Sequence, residues 1–230
     1  MERFGLLTSA ETSRQLGVSM RQVQRLAASG ALSHSDTVGG THLIDARSVQ
    51  LRKVRGAARG RPWEAETIAA AIELLTCGDT TRLTPVARGR LYRRLSGMSA
   101  EQFVRATRKR AEVRRFRASK SFVGHLQEAI NLTGVAAVGR DPALGRVFGL
   151  AGGDRLVVDG YVNEKTARRL IRECRMVADP SGSVTLRVTN IDLLLDAHEV
   201  VVALDLADSL EVRSRSAGLA HLTQRLRVLR

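Results

Sequence analysis

At 230 residues with 43% hydrophobic side chains, the chain has room for one large domain or two small ones, each with a genuine apolar core. Lys and Arg number 37 against 23 Asp and Glu, and the excess sits in one half: residues 1–118 carry 22 basic and 10 acidic groups, +12, while 119–230 carry 15 and 13, +2. A field confined to one half points to a polyanion there. Arg-rich GC coding would not place it so, and two distant cysteines, Cys77 and Cys174, exclude a disulfide scaffold or CxxC zinc site.

In chain order, Thr8 followed three residues on by Glu11 opens a helix with a capping box. Leu16, Val18, Val23 and Leu26 fall where two short helices bury apolar side chains against each other. Gly17 lies between them, where a sharp turn favours a residue that tolerates positive φ. Ser13, four residues earlier, is small enough to let the helices approach, and Ser19 caps the second helix. That helix then offers Met20, Arg21, Gln22, Gln24 and Arg25 outward. Arg pairs bidentately with guanine and Gln with adenine in the major groove. An ordinary helical hairpin with a solvated polar face would show the same residues. The continuation favours the DNA-reading alternative: Gly30-Ala31-Leu32 ends the helix, Val38 to Ile44 reads as a hairpin with a Gly39-Gly40 tip, and Asp45 caps a helix carrying Val49 and Val54.

A basic hinge follows, Gly56 to Trp63. Within it Arg59-Gly60-Arg61-Pro62 has the core of a minor-groove AT-hook, or serves as an interdomain hinge with exposed arginines. Pro62 suits a first helical turn, with Ile68, Ala71, Ile72 and Leu75 at helix spacing until Gly78. Thr84-Pro85 opens a second helix and Ser99 to Gln102 caps a third, predicted to run to about Glu112. Beyond it the pattern predicts strands at Val113–Ala118, Gly134–Val138, Arg155–Val162 and Val184–Val188, the last reached through an Asp179–Gly182 turn from Met176–Ala178. Helices are predicted over Ser121–Ile130, Asn163–Cys174 and Leu210–Leu229, and Glu199–Leu206 suits either element. The basic run Arg105, Arg108, Lys109, Arg110, Arg114, Arg115 and Arg117 reads as a solvated face, a DNA contact or a dock for an acidic partner.

No Walker loop, GxSxG, HExxH or dinucleotide-binding glycine turn occurs, so no catalytic residue, cofactor or enzymatic activity is expected. The five histidines are scattered. Asp192, Asp196, Asp205 and Asp208 form only a loose acidic group suited to helix caps, and no metal site is expected. The first residues lack a signal-peptide core and no apolar run would span a bilayer. Both point to a cytoplasmic protein, nucleoid-associated when bound.

The order of turn, helix end and hairpin over about residues 6–54 resembles the winged helix-turn-helix DNA-binding domains of excisionases and MerR-like regulators. The family commonly places Arg beside the wing glycines, whereas this chain has Thr41 and His42 after Gly40. Over nearly its whole length the chain resembles actinobacterial helix-turn-helix antitoxins of type IV, AbiEi-like, toxin–antitoxin systems. The strings that carry this are the reading head, Arg59 to Trp63, Arg110 to Arg117, Asp179 to Val188 and Val202 to Leu206. The resemblance implies an autoregulating repressor that counteracts a nucleotidyltransferase-type toxin, with neutralisation in the C-terminal domain.

The resulting expectation is an α+β protein in three parts: a winged helix-turn-helix over 1–58, a basic hinge and helical connector over 59–112, and an α+β domain over 113–230 for partner binding or dimerisation. Double-stranded DNA is the expected partner, with a cognate toxin and a homodimer as further candidates. Ser19, Met20, Arg21, Gln22, Gln24, Arg25, Gly40, Thr41, His42, Arg59 and Arg61 are the expected DNA-binding residues. The alternatives are a stand-alone regulator or excisionase-like DNA bender, and a protein-interaction module acting through its C-terminal half.

Overall fold

The computed structural model describes residues 5–28, 31–32, 34–36, 42–55, 62–151, 156–192 and 199–229, which form a mixed α+β chain richer in helix than strand. The N-terminal elements are β1 (Leu6–Leu7), α1 (Ser9–Leu16), α2 (Met20–Ala28), β2 (His34–Asp36), β3 (His42–Asp45) and α3 (Ala46–Arg55). The strands form an antiparallel sheet in the order β1-β3-β2, with Leu7 opposite Ile44 and Asp36 opposite His42. A small core joins helices to sheet: Val23, Leu26, Ala27, Leu32, Ile44 and Val49 are buried, with Leu7, Leu16 and Val18 packed against them. Leu16, Val18, Val23, Leu26 and Val49 among them are the apolar positions that the sequence marks for burial.

Three helices follow: α4 (Ala65–Cys77), α5 (Pro85–Ser96) and α6 (Ala100–Ala106). Two expected boundaries move. Residues 62–64 lie outside α4, because the Trp63 N–H donates to the Ala106 carbonyl at 3.0 Å and the indole packs edge-on to Phe103 at 6.1 Å. The third helix stops six residues short of Glu112. There the Thr107 hydroxyl bonds back to the Phe103 and Val104 carbonyls, offering the backbone an alternative to another helical turn. Thr84 and Ser99 cap their helices as the sequence predicts.

The second sheet is built from β4 (Glu112–Arg117), β5 (Asn131–Leu132), β6 (Val158–Val162), β7 (Val177–Ala178) and β8 (Val184–Val188), in the order β5-β6-β8-β4-β7. Only the β6–β8 pair is parallel. All five residues of the central strand β8 are buried, and side-chain alternation sends them to opposite faces. Val184, Leu186 and Val188 join Phe116, Val158 and Val162 against α7 (Val123–Ala129) and α10 (Glu164–Glu173), which contribute Leu126, Ala167 and Leu170. Thr185 and Arg187 face the other way, in register with Asp159 and Tyr161 of β6. That polar face is the unusual feature of the sheet.

Above it lie α8 (Gly134–Arg140), α9 (Pro142–Phe148), α11 (Glu199–Ala207) and α12 (Val212–Arg227). The segment Gly134–Val138 is helix and not the expected strand. With Gly134, Ala136, Ala137 and Val138 all buried it shows no amphipathic period, and a short apolar run of that kind does not distinguish the two. Glu199–Leu206, open between two readings, is helical, and every residue from Val200 to Ala207 is buried.

One apolar cluster takes in Trp63, side chains of α4, α5 and α6, and Val200, Leu204, Leu222 and Leu226 of α11 and α12. It runs straight across residue 112, so the helices of 59–112 pack with the chain's C-terminal helices. No helix among the described residues is long and apolar enough to cross a membrane.

Gly218 lets α11 and α12 close on each other. A Cβ there would stand 2.5 Å from both the Ala203 carbonyl oxygen and the Ala207 nitrogen, backbone atoms that cannot yield separately. Gly218→Ala therefore forces the helices apart and is expected to cost about 1–3 kcal/mol despite alanine's better helix propensity. Urea unfolding checks this, and a stabilised variant would contradict it.

Candidate nucleic-acid interface

The capping box at Thr8 is fully formed. The Glu11 N–H donates to the Thr8 hydroxyl at 3.2 Å, and the Thr8 N–H donates to the Glu11 carboxylate at 2.8 Å. These bonds hold the Glu11 carboxyl below its ordinary pKa, the Thr8 N–H bond contributing most. Gly17 ends α1 in the left-handed region, φ 64°, where a side chain would be strained. Its N–H donates to the Ser13 carbonyl. The Ser13 hydroxyl donates to the Val18 carbonyl at 2.5 Å, so this residue stitches the turn as well as clearing space for it. Ser19 then accepts the Gln22 N–H at 3.2 Å and starts α2.

On α2 the inner side chains Val23, Leu26 and Ala27 are buried, while Ser19, Met20, Arg21, Gln24 and Arg25 are exposed and Gln22 is half-buried. Among the described residues no carboxylate pairs with Arg21 or Arg25. Two guanidinium groups one helical turn apart are therefore free for an external acceptor. On α1, Thr12 is fully buried, its hydroxyl without a hydrogen-bond partner.

Asp45 caps α3, its carboxylate accepting the Arg47 and Ser48 N–H groups at 3.0 and 3.2 Å. Burial raises its pKa against the pull of those bonds. The same turn meets the polar face of the second sheet. Burial lowers the pKa of Arg47, which feels the charges of Asp159 and Arg187, and its Nε is buried without a partner. Burial, with Arg47 nearby, brings the Arg115 guanidinium down to about 10. Of the remaining expected DNA contacts, Gly40, Thr41, Arg59 and Arg61 lie outside the described residues. His42 begins β3 opposite Asp36, and only its backbone is described.

The basic run at 105–117 does not form one surface. Lys109 and Arg117 are exposed and Arg105 and Arg108 half-buried. Arg114 is held by Glu112 at 2.8 Å and Glu164 at 2.9 Å. Arg110 lies inside the protein, 4% exposed, bound to Asp205 at 2.5 Å, to Asp208 at 2.7 Å and to the Tyr161 hydroxyl at 3.0 Å. Arg187 reaches the same Asp205 at 2.7 Å and grips Asp159 at 2.6 and 2.8 Å, and the Thr133 hydroxyl donates to the second Asp205 oxygen.

The loose acidic group of the sequence thus resolves differently. Asp205 and Asp208 are ion-pair partners of buried arginine, neither caps nor metal ligands; Asp192 is exposed, and Asp196 lies outside the described residues. The signal for Asp205 was a lone carboxylate in the apolar run Val202-Ala203-Leu204-Asp205-Leu206, which an isolated charge survives only if paired. No cluster of metal-ligating side chains occurs among the described residues. His221 lies against Phe148 with ring centroids 5.1 Å apart and the planes tilted by 50°, and burial lowers its pKa.

Comparison with protein-family models, with curated proteins and with solved structures gives no match to this chain.

Proposed function

We propose that the chain is a sequence-specific DNA-binding repressor whose first 58 residues act as a winged helix-turn-helix. The observation that carries this reading is the division of α2. Val23, Leu26 and Ala27 lock it to its neighbours, while Arg21, Gln24 and Arg25 stand exposed and neither arginine meets a carboxylate among the described residues. Such a helix can enter a major groove without unfolding anything, and its side chains match the donor and acceptor pattern of base edges. The β2–β3 hairpin serves as the wing, with Gly40, Thr41 and His42 near the backbone. Arg59 and Arg61 add phosphate or minor-groove contacts. The protein acts in the cytoplasm, on the nucleoid.

The repressor is proposed to be the autoregulating antitoxin of an operon that also encodes a nucleotidyltransferase-type toxin. This finer assignment is supported by the strings Arg110 to Arg117, Asp179 to Val188 and Val202 to Leu206, which resemble AbiEi-like antitoxins. Selection from a random duplex library with the full chain is expected to enrich one sequence, and footprinting to protect it upstream of the chain's own gene. Library enrichment of no sequence would reject the DNA reading. Co-expression with the product of the adjacent gene is expected to relieve that product's toxicity. Enrichment without relief would leave a stand-alone regulator, and relief without enrichment a protein-interaction module.

A further inference from the structure

We propose that the outer face of α5 is a second docking surface for duplex DNA, with Arg90 and Arg93 each closing on a backbone phosphate and Arg94 beside them. This rests on the DNA reading above and extends it to a part of the chain beyond residues 1–58. The sequence Pro85-Val86-Ala87-Arg88-Gly89-Arg90-Leu91-Tyr92-Arg93-Arg94-Leu95-Ser96 contains four arginines but no acid. Leu91 and Leu95 are buried and set the inner face. Helical geometry then places Arg90 and Arg93 on the opposite side, with a rise between them of about 4.5 Å, and Arg94 on the flank. All three arginines are exposed.

Several other arginines are held by carboxylates, Arg88 of α5 among them. Glu73 holds Arg82 at 2.7 Å, Asp79 holds Arg88 at 2.5 Å, Glu164 holds Arg168 at 2.7 Å and Glu199 holds Arg225 at 2.7 Å. No carboxylate among the described residues pairs with Arg90, Arg93 or Arg94. Arg93 bonds only the Gly89 carbonyl of its own helix, and Arg94 lies over the Trp63 ring, 4.9 Å from its centroid. Trp63 is the first described aromatic after the Arg59-Gly60-Arg61 hinge, and its backbone is tied to α6. Trp63, which follows that hinge in the sequence, therefore lies beside Arg94.

A row of exposed guanidinium groups without a carboxylate partner among the described residues suits phosphates, which need charge and not a shaped pocket. Phosphate contacts of this kind position a duplex and carry no sequence information. The surface therefore adds affinity without sequence preference, and its signature is counterion release. Each phosphate contact steepens the slope of log affinity against log salt by about 0.9.

The test uses the full chain and a random-sequence duplex of about 30 base pairs, titrated between about 50 and 200 mM salt. Arg90→Gln with Arg93→Gln is expected to make the slope shallower by about 1.8, each single change by about 0.9, and Arg90→Lys with Arg93→Lys to restore it. The preference for a selected site over random DNA stays as in the parent chain. A slope unchanged in the double Gln variant, with a parental urea midpoint, overturns the proposal and leaves the α2 reading standing. The reverse case is equally visible: if Arg21→Ala with Arg25→Ala leaves site preference intact while the α5 variant flattens the slope, the α2 reading falls and this surface stands. A parent chain that binds no duplex at about 50 mM salt overturns both.

Discussion

Asp205→Ala is expected to remove about 3–5 kcal/mol of unfolding free energy, the largest loss from any single carboxylate in the chain. The carboxylate is 4% exposed and accepts from two buried guanidinium groups and the Thr133 hydroxyl. Removing it leaves Arg110 and Arg187 in a medium where a charge without its partner is heavily penalised. Arg110 keeps Asp208 and Arg187 keeps Asp159, so the loss should fall within that range and not exceed it. Because Asp205 on α11 binds Arg187 of β8, Arg110 two residues before β4 and Thr133 at the start of α8, the cost is to the whole C-terminal body and not to one helix end.

The pH dependence carries the sign of a depressed carboxyl. Arg187 and Arg110 hold Asp205 below its ordinary pKa, outweighing burial, which acts in the opposite direction. Its contribution is then fully present above the unfolded value of about 3.9 and is lost as pH falls through the lower folded value. The gap in stability between the parent chain and Asp205→Asn should accordingly be constant near neutrality and shrink below about pH 4. Urea unfolding across that range measures it. A gap under about 1 kcal/mol at pH 7 would show that the network is not a keystone of this fold.

Arg21→Ala with Arg25→Ala is expected to cost about 2–6 kcal/mol of discrimination between a selected site and random duplex, a ratio reduced about 30-fold or more. Each bidentate base contact supplies about 1–3 kcal/mol. The loss should appear in site preference. Both side chains are exposed, so the urea midpoint should hold within the equivalent of about 0.5 kcal/mol. Val23→Ala, by contrast, empties a fully buried position and should weaken binding by loosening α2 itself, with a matching loss of stability. Equilibrium binding of the three proteins to selected and random duplexes separates the outcomes. Unchanged preference in the double arginine variant would end the assignment of α2 as the reading helix.

How far the chain could be read in advance follows the range of the forces involved. Thr8 with Glu11, Gly17, Ser19, Asp45, Thr84 and Ser99 all act where their local patterns predict, because a cap or a left-handed turn is decided by atoms within about four residues. The inner and outer sides of α2 were legible for the same reason, since periodicity alone separates Val23 and Leu26 from Arg21 and Arg25. The residues of β4 and β8 announced themselves as strands by alternation, but not which face of each would be apolar.

The arginines mark where reading along the chain stops. Arg108, Arg110 and Arg117 look alike in a basic run, yet Arg110 is interior and Arg117 exposed, because Asp205, ninety-five residues away, lies on a helix that packs over β6 and β8. Gly134–Val138 is helix with Gly134, Ala136, Ala137 and Val138 all buried, and such burial leaves no amphipathic signal for a sequence to display. The amino-acid order alone determined the caps, the turns, the outward chemistry of α2 and the basic half of the molecule, all consequences of near neighbours and composition. Tertiary structure decided which charges are spent inside and which remain for a partner. A guanidinium's fate depends on the carboxylate it meets, and that meeting is a property of the packed chain.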